Sequence, residues 1–132
     1  MISRRAPPRI PHVVKKPKPK VDLRMRPRHL AFVRLLPCVC CGKLGPSEAA
    51  HVRIGGDGGM GLKPPDRLTV PLCGPFGCHA DQHQRGEQAF WSELGIDPVD
   101  LAARLWAVSG DVEQGERAVA RARQAIMLHK GK

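Results

Sequence analysis

The chain has 132 residues, of which only two are tryptophan and three are phenylalanine, so it can build one domain but not a second full core. Its five cysteines are odd in number and clustered, which argues against a secreted disulfide framework and favours a reducing cytosol. No apolar stretch near the N-terminus is long enough for a signal peptide or a membrane span, so no membrane partner is expected.

The net charge of +10 is concentrated in one segment. Residues 1–36 contain eleven Lys and Arg against one acid, whereas the remainder is balanced. Residues 1–26 are rich in proline and lysine, which predicts a disordered arm. Such an arm would bind nucleic-acid phosphates without reading sequence, through Lys15, Lys16, Lys18 and Lys20. The alternative is a solvated tail that only aids solubility.

Two short strands and one helix are predicted in the first half of the chain after this arm. Apolar residues at helical intervals predict a helix over 28–36, ended by Pro37, with His29 at the surface or facing phosphate. Strands are expected over 49–54 and 68–72. The glycine-rich segment 55–61 between them is followed by two prolines, which excludes the helix that a dinucleotide motif requires.

The second half is predicted to be helical. One helix begins at Cys78, is interrupted near Gly86 and ends at Gly95. Two more follow the N-cap residues Asp97 and Asp111. Their buried faces are expected to contain Leu101, Leu105, Trp106, Val112, Val119, Ala122 and Ile126. We therefore expect a core over 27–95 and a helical C-terminal extension over 96–132.

The cysteines have the spacing of a structural zinc site. Cys38 and Cys41 form a Cys-x-x-Cys pair, and Cys73 and Cys78 follow about thirty residues later, so the four thiolates can surround one tetrahedral zinc. Two assignments stay open from the spacing, since His79 can replace Cys78 and Cys40 can exchange with Cys41. The alternative is a set of reduced cysteines packed as small apolar residues.

Three histidines and an acid suit the hydrolysis of a phosphodiester. His51 is the candidate general base, because a neutral imidazole can accept a proton from water. His79 and His83 lie one helical turn apart and can hold a divalent metal such as Mg, Mn, Ni or Zn. Asp66 either completes the metal shell or braces the loop that carries His51. Arg53 and Lys63 are candidates for phosphate contacts.

The order of these motifs resembles the HNH nucleases of the ββα-metal class. Residues 28–91 are similar to a phage and prophage group that includes the recombination-enhancement nuclease Ref. The matching residues are Pro37, Cys38, Cys41, Gly42, His51, Gly59, Gly61, Lys63, Asp66, Pro71, Leu72, Cys73, Cys78, His79 and His83. The resemblance implies an α+β fold in which two antiparallel strands and a helix surround a catalytic metal, within a zinc-stapled core with flanking helices. It also implies DNA nicking or cleavage in a bacterial cytoplasm, with a recombinase as a further partner.

Two positions depart from this family pattern. Many HNH enzymes have His or Asp as a metal ligand directly before the base histidine, where this chain has Ala50, and the middle Asn is Asp66. The sequence thus predicts a metal-dependent DNA endonuclease, with His51, Asp66 and His79 as catalytic residues. The alternatives are a non-catalytic zinc module that binds nucleic acid and a regulator in which Cys40 senses oxidation.

Overall fold

The computed structural model describes residues 24–54 and 63–130. In this part of the chain five helices accompany a two-stranded sheet. In chain order the elements are α1 Pro27–Arg34, β1 Glu48–His51, β2 Thr69–Leu72, α2 Cys78–Arg85, α3 Glu87–Leu94, α4 Pro98–Ala107 and α5 Val112–Lys130. The mixed helix and strand content agrees with the expected fold class. The predictions for the arm lysines and for the glycine-rich segment lie outside the described residues.

The sheet is a short antiparallel pair at the centre of the molecule. Glu48 pairs with Leu72 and His51 pairs with Thr69, so β1 ends at His51, three residues earlier than the sequence suggested. All four residues of β2 are buried, because α1 and α4 both pack against this strand. Val39 donates its backbone N–H to the carbonyl of Pro71 at 3.0 Å, which attaches the loop after α1 to β2.

The helix boundaries follow the predicted cap residues. Asp97 accepts hydrogen bonds from the backbone N–H groups of Val99 and Asp100, at 3.0 and 3.2 Å, and Pro98 is the first residue of α4. Gly95 ends α3 with a φ of 75°, a left-handed conformation that favours glycine. The breaks expected at Gly86 and Gly95 are both confirmed.

The C-terminal helices share one core with the sheet. Leu101, Leu105, Val119 and Ile126 are buried in it, as predicted. Helix α5 approaches α1 closely at Gly115, where a Cβ atom would lie 2.7 Å from Phe32 Cζ. This contact explains a glycine within a long helix, a position that otherwise favours alanine.

Two predictions about side-chain burial were wrong. Trp106 is 39% exposed, because it lies to the side of the Leu101–Leu105 face and packs its ring edge-to-face with His29, at 5.0 Å between centroids. His29 was expected at the surface but is only 2% exposed. Its Nδ1 lies 2.7 Å from the Ser109 hydroxyl, and its ring contacts Phe32, so the C-terminal part of the chain covers it.

None of the helices within residues 24–54 and 63–130 combines the length and the apolar character that crossing a membrane requires.

Candidate functional site

Four cysteines converge in the described part of the chain. The Sγ atoms of Cys38, Cys41, Cys73 and Cys78 all lie within 4.8 Å of one another. The first two belong to the loop between α1 and β1, Cys73 directly follows β2, and Cys78 begins α2. The cluster therefore joins three elements and could hold a metal ion such as zinc. It includes Cys41 and Cys78 and leaves out Cys40 and His79, which favours Cys41 and Cys78 as the ligands.

Backbone N–H groups point at the sulfur atoms of this cluster. Cys41 donates to Cys38 Sγ at 3.5 Å, and Cys78 donates to Cys73 Sγ at 3.2 Å. A Cβ atom on Gly77 would lie 2.5 Å from Cys73 Sγ, so glycine leaves the room that the turn needs around the sulfur. Donors of this kind stabilise negative charge on the thiolates.

Three thiols of the cluster respond differently to their surroundings. The N–H of Cys78 lowers the pKa of Cys73, whereas burial raises the pKa of Cys38 and of Cys78. The protein alone thus favours the thiolate of Cys73 and opposes those of Cys38 and Cys78. A bound divalent cation reverses this balance, because its charge offsets several thiolates at once. The donor set and its closeness fit a tetrahedral zinc site.

Cys40 is not one of the four clustered cysteines, but its thiol contacts that of Cys78, and it packs against the hydrophobic core. Burial raises the pKa of its thiol, so less of it is present as the reactive thiolate. This environment argues against the oxidation-sensing hypothesis for Cys40.

The first histidine cluster consists of His51 and Asp66. His51 Nε2 lies 2.9 Å from Asp66 Oδ1, and the other carboxylate oxygen accepts the backbone N–H of Arg26 at 2.7 Å. Asp66 is only 6% exposed, and its backbone is held by Arg24 and Thr69. Both carboxylate oxygens therefore already have protein donors, which favours the bracing role over the metal-binding role for Asp66.

The charge of Asp66 determines which nitrogen of His51 is free. Burial by itself would raise the pKa of Asp66, but the Arg26 N–H and His51 outweigh it and hold this pKa below its usual value. An ionised carboxylate only accepts hydrogen bonds, so His51 donates its Nε2–H to Asp66. The Nδ1 of His51 is left with a lone pair that can accept a proton.

The second histidine cluster consists of His79, His83 and Glu48. The Nε2 atoms of His79 and His83 lie 3.2 Å apart on one face of α2, as the four-residue spacing predicted. The Nδ1 of His79 lies 3.0 Å from Glu48 Oε1. The His83 side chain is exposed, so this face of α2 can be reached from solvent.

The two histidine clusters occupy opposite ends of one strand. Glu48 begins β1 and His51 ends it, a separation of about 10 Å along a strand. Among residues 24–54 and 63–130, no hydrogen bond or ion pair links His51 to His79 or His83. The structure thus assembles the predicted base and the predicted metal ligands as two groups and does not join them directly.

The two candidate phosphate-binding residues in the described part of the chain are exposed. Arg53 and Ile54 donate backbone N–H groups to the carboxylate of Glu87, which holds the chain after β1 against α3. Lys63 accepts a hydrogen bond from Arg24 through its carbonyl oxygen. The side chains of Arg53 and Lys63 project to the surface, and their phosphate contacts stay a prediction.

The sequence did not single out Glu48 or Arg26. Glu48 contacts a histidine 31 positions away, and Arg26 acts through its backbone on a carboxylate 40 positions away. No local pattern could have found either residue, because both contacts depend on how the strands and helices pack.

Comparison with known proteins identifies one matching family and several relatives. A family model described as "Protein of unknown function (DUF968)" matches residues 9–109, more than half of the chain. "Uncharacterized protein YdfU" of Escherichia coli K12 is 39% identical over 56 residues, which are 42% of this chain and 16% of that protein. "Putative nuclease YbcO" of the same organism is 27% identical over 95 residues, which are 70% of this chain and 97% of that protein. A protein of the same description from Enterobacteria phage 82 matches equally well. No solved structure matches.

Proposed function

Because the chain belongs to the DUF968 family, and because its relatives include proteins named as nucleases, we propose that it is a metal-dependent DNA endonuclease of the HNH type. One observation carries the proposal. A His–Asp pair joins the end of β1 to the turn before β2, and a His–His pair lies on α2, on a scaffold in which four thiols converge. The phage relative supports a role in the processing or recombination of phage and prophage DNA.

His51 is the proposed general base. Its Nε2–H is held by Asp66, so Nδ1 takes a proton from the attacking water as the new phosphorus–oxygen bond forms. The Asp66 carboxylate stabilises the imidazolium that results, and its own position is maintained by the Arg26 N–H. The leaving oxygen receives a proton from solvent. Removal of a general base of this kind lowers the rate by about 10²–10⁴-fold.

His79 and His83 are the proposed ligands of the catalytic metal. Two imidazole nitrogens 3.2 Å apart fit binding to one cation, because ligands about 2.1 Å from a metal lie roughly 3.0 to 3.4 Å apart for right and tetrahedral angles. A divalent cation held there would neutralise the charge that develops on the phosphate and on the leaving oxygen. The thiol cluster at the start of α2 would keep both histidines in place.

The basic residues are the proposed source of DNA affinity. Residues 1–36 have a large excess of Lys and Arg, while Arg53 and Lys63 flank the segment that follows His51. Contacts of this kind act on phosphate groups, so affinity should depend strongly on salt and weakly on sequence.

A plasmid-nicking assay with Mg²⁺, Mn²⁺, Ni²⁺ or Zn²⁺ tests the proposal. The zinc-loaded protein is expected to nick DNA with at least one of these metals, and His51→Ala is expected to lose this activity. His129→Ala serves as the matched control, since His129 has no assigned role. Nicking by the purified His51→Ala variant at the rate of the parent protein would remove His51 from the mechanism.

A second candidate function is a zinc module that binds nucleic acid without cleaving it. One observation favours it: Ala50 stands where many HNH enzymes have a metal ligand, and it is fully buried. This alternative predicts salt-sensitive DNA binding that is lost with the basic arm, and no nicking with any of the four metals.

A further inference from the structure

We propose that Glu48 is a positioning residue for the catalytic metal, holding His79 in the orientation and tautomer that present Nε2 to the ion. This inference rests on the proposed function, because it assumes that His79 and His83 bind a metal. It adds a residue that neither the motif order nor any spacing in the sequence indicates.

The contact between Glu48 and His79 determines which nitrogen of His79 is available. Glu48 Oε1 lies 3.0 Å from His79 Nδ1. An ionised carboxylate accepts hydrogen bonds and donates none, so Nδ1 must be the protonated nitrogen of the neutral ring. Nε2 then carries the lone pair. A metal-bound histidine commonly donates its second N–H to a carboxylate in this way, which fixes the ring and makes the ligand nitrogen more basic.

The free nitrogen of His79 lies next to His83, the other proposed metal ligand. Its Nε2 lies 3.2 Å from the Nε2 of His83, and the two ring centroids are 4.7 Å apart. The carboxylate, the two nitrogens of His79 and the Nε2 of His83 therefore follow one another in a line of contacts. Turning the His79 ring over about its Cβ–Cγ bond would exchange Nδ1 with Cδ2 and Nε2 with Cε1, so carbon atoms would face Glu48 and His83.

The backbone around Glu48 supplies the room for this contact. Glu48 begins β1 opposite Leu72, and the chain after Leu72 passes through Cys73 and Gly74 toward α2. A Cβ atom at Gly74 would collide with the Glu48 carboxylate, so a larger residue there would push the carboxylate from its present position. Cys73 and Cys78, at the two ends of this turn, both belong to the thiol cluster.

A purely stabilising ion pair is the competing explanation. The Glu48 side chain is 46% exposed, and ion pairs at such positions contribute little to folding because water and salt screen them. A structural role therefore predicts a small change in stability and no change in metal affinity. A positioning role predicts weaker metal binding when Glu48 is replaced.

The test compares three variants of the full zinc-loaded chain. Glu48→Ala removes the acceptor, and Glu48→Gln keeps an acceptor oxygen without the charge. Asp81→Asn is the matched control, because it removes one negative charge from α2 at a residue that bonds Arg85 and not His79. Calorimetric titration with Ni²⁺ measures the second metal site, and elemental analysis verifies that zinc is retained. Nitrogen-15 NMR of the histidine rings reports the tautomer of His79 before Ni²⁺ is added.

The parent protein is expected to hold His79 with its proton on Nδ1. Glu48→Ala is expected to shift this proton toward Nε2 and to weaken Ni²⁺ binding by about 10- to 100-fold. Glu48→Gln should lose less Ni²⁺ affinity than Glu48→Ala, and the Ni²⁺ affinity of Asp81→Asn should match that of the parent within about twofold. An unchanged tautomer together with unchanged Ni²⁺ affinity in Glu48→Ala would overturn the proposal, as would equal losses in Glu48→Ala and Asp81→Asn.

The outcome separates this inference from the proposed function. If the parent binds Ni²⁺ through a Glu48-dependent site but nicks no DNA, the endonuclease proposal fails and the role of Glu48 stands. If nicking occurs and Glu48→Ala nicks and binds Ni²⁺ as the parent does, the role of Glu48 fails alone. If the parent binds no second Ni²⁺, both the metal pair and the role of Glu48 are overturned.

Discussion

Replacing Cys73 with serine removes one thiolate from the four-cysteine cluster while changing the shape of the side chain little. Cys73 directly follows β2, its sulfur lies 3.7 Å from that of Cys41, and it accepts the N–H of Cys78. The substitution thus weakens the point at which the sheet, the first loop and α2 are joined.

The expected loss can be estimated from the energetics of structural zinc. Zinc binding contributes about 10–16 kcal/mol to small zinc domains, comparable to the whole stability of a domain, about 5–15 kcal/mol. An even share for four thiolates is about 2.5–4 kcal/mol each, or roughly 100- to 1,000-fold in zinc affinity. A loss of that size lowers the melting temperature of a domain of this length by about 10–15 °C. Two strands of four residues cannot compensate, because so small a sheet is not stable alone.

Competition with a chromophoric chelator measures the zinc affinity, and circular dichroism measures the melting temperature. Cys40→Ser is the matched control, because it makes the same chemical change at a thiol outside the cluster. It is expected to retain the zinc stoichiometry and affinity of the parent. The assignment of the cluster would be refuted if Cys73→Ser bound zinc as tightly as the parent, or if Cys40→Ser lost as much affinity as Cys73→Ser.

Three further predictions concern the base, the buried histidine and the arm. Asp66→Asn removes the charge that holds His51. It should lower the nicking rate by about 10- to 100-fold at unchanged zinc content, since a charged hydrogen bond contributes about 1.5–3 kcal/mol. An unchanged rate in the plasmid assay would contradict the bracing role. Burial lowers the pKa of His29, although the charge of Asp66 opposes this shift. The unfolded chain therefore binds more protons than the native one, and the free energy of unfolding should fall as pH drops through about 6.5. Urea titrations from pH 8 to pH 5 should show a smaller fall in the free energy of unfolding for His29→Gln than for the parent. Parallel pH profiles of the two proteins would show that His29 does not cause the fall. Deleting residues 1–20 removes seven Lys and Arg and no acid. It should weaken DNA binding and reduce the slope of log affinity against log salt by up to about six, as measured by fluorescence anisotropy; an unchanged slope would exclude the arm from the interface.

Features that depend on neighbouring residues could be predicted from the sequence. The caps at Asp97 and Gly95 act within one turn of a helix, so the bounds of α3 and α4 follow from the local residues. The spacing of His79 and His83 places both on one face of any helix, and the structure has them 3.2 Å apart. The approach of the four cysteines was also predictable, because their pairwise spacing suits a single tetrahedral ion.

The functional detail that the sequence did not contain depends on distant contacts. The sequence left open whether Asp66 binds metal or braces His51, and the protein partners of both its oxygens favour the bracing role. His29 was expected at the surface because its partner, Ser109, lies 80 positions away. Glu48 lies 31 positions from His79, and only the pairing of β1 with β2 brings them together.

The sequence by itself determined the helices, most of their ends and the candidate metal-binding residues, because each depends on side-chain chemistry and local spacing. Only the tertiary structure decided which thiols converge, which carboxylate lies against which histidine, and that the candidate base and the candidate metal ligands form two groups near opposite ends of β1. Those outcomes depend on the register of two strands and on the packing of helices against them, which balance many weak contacts over the whole chain.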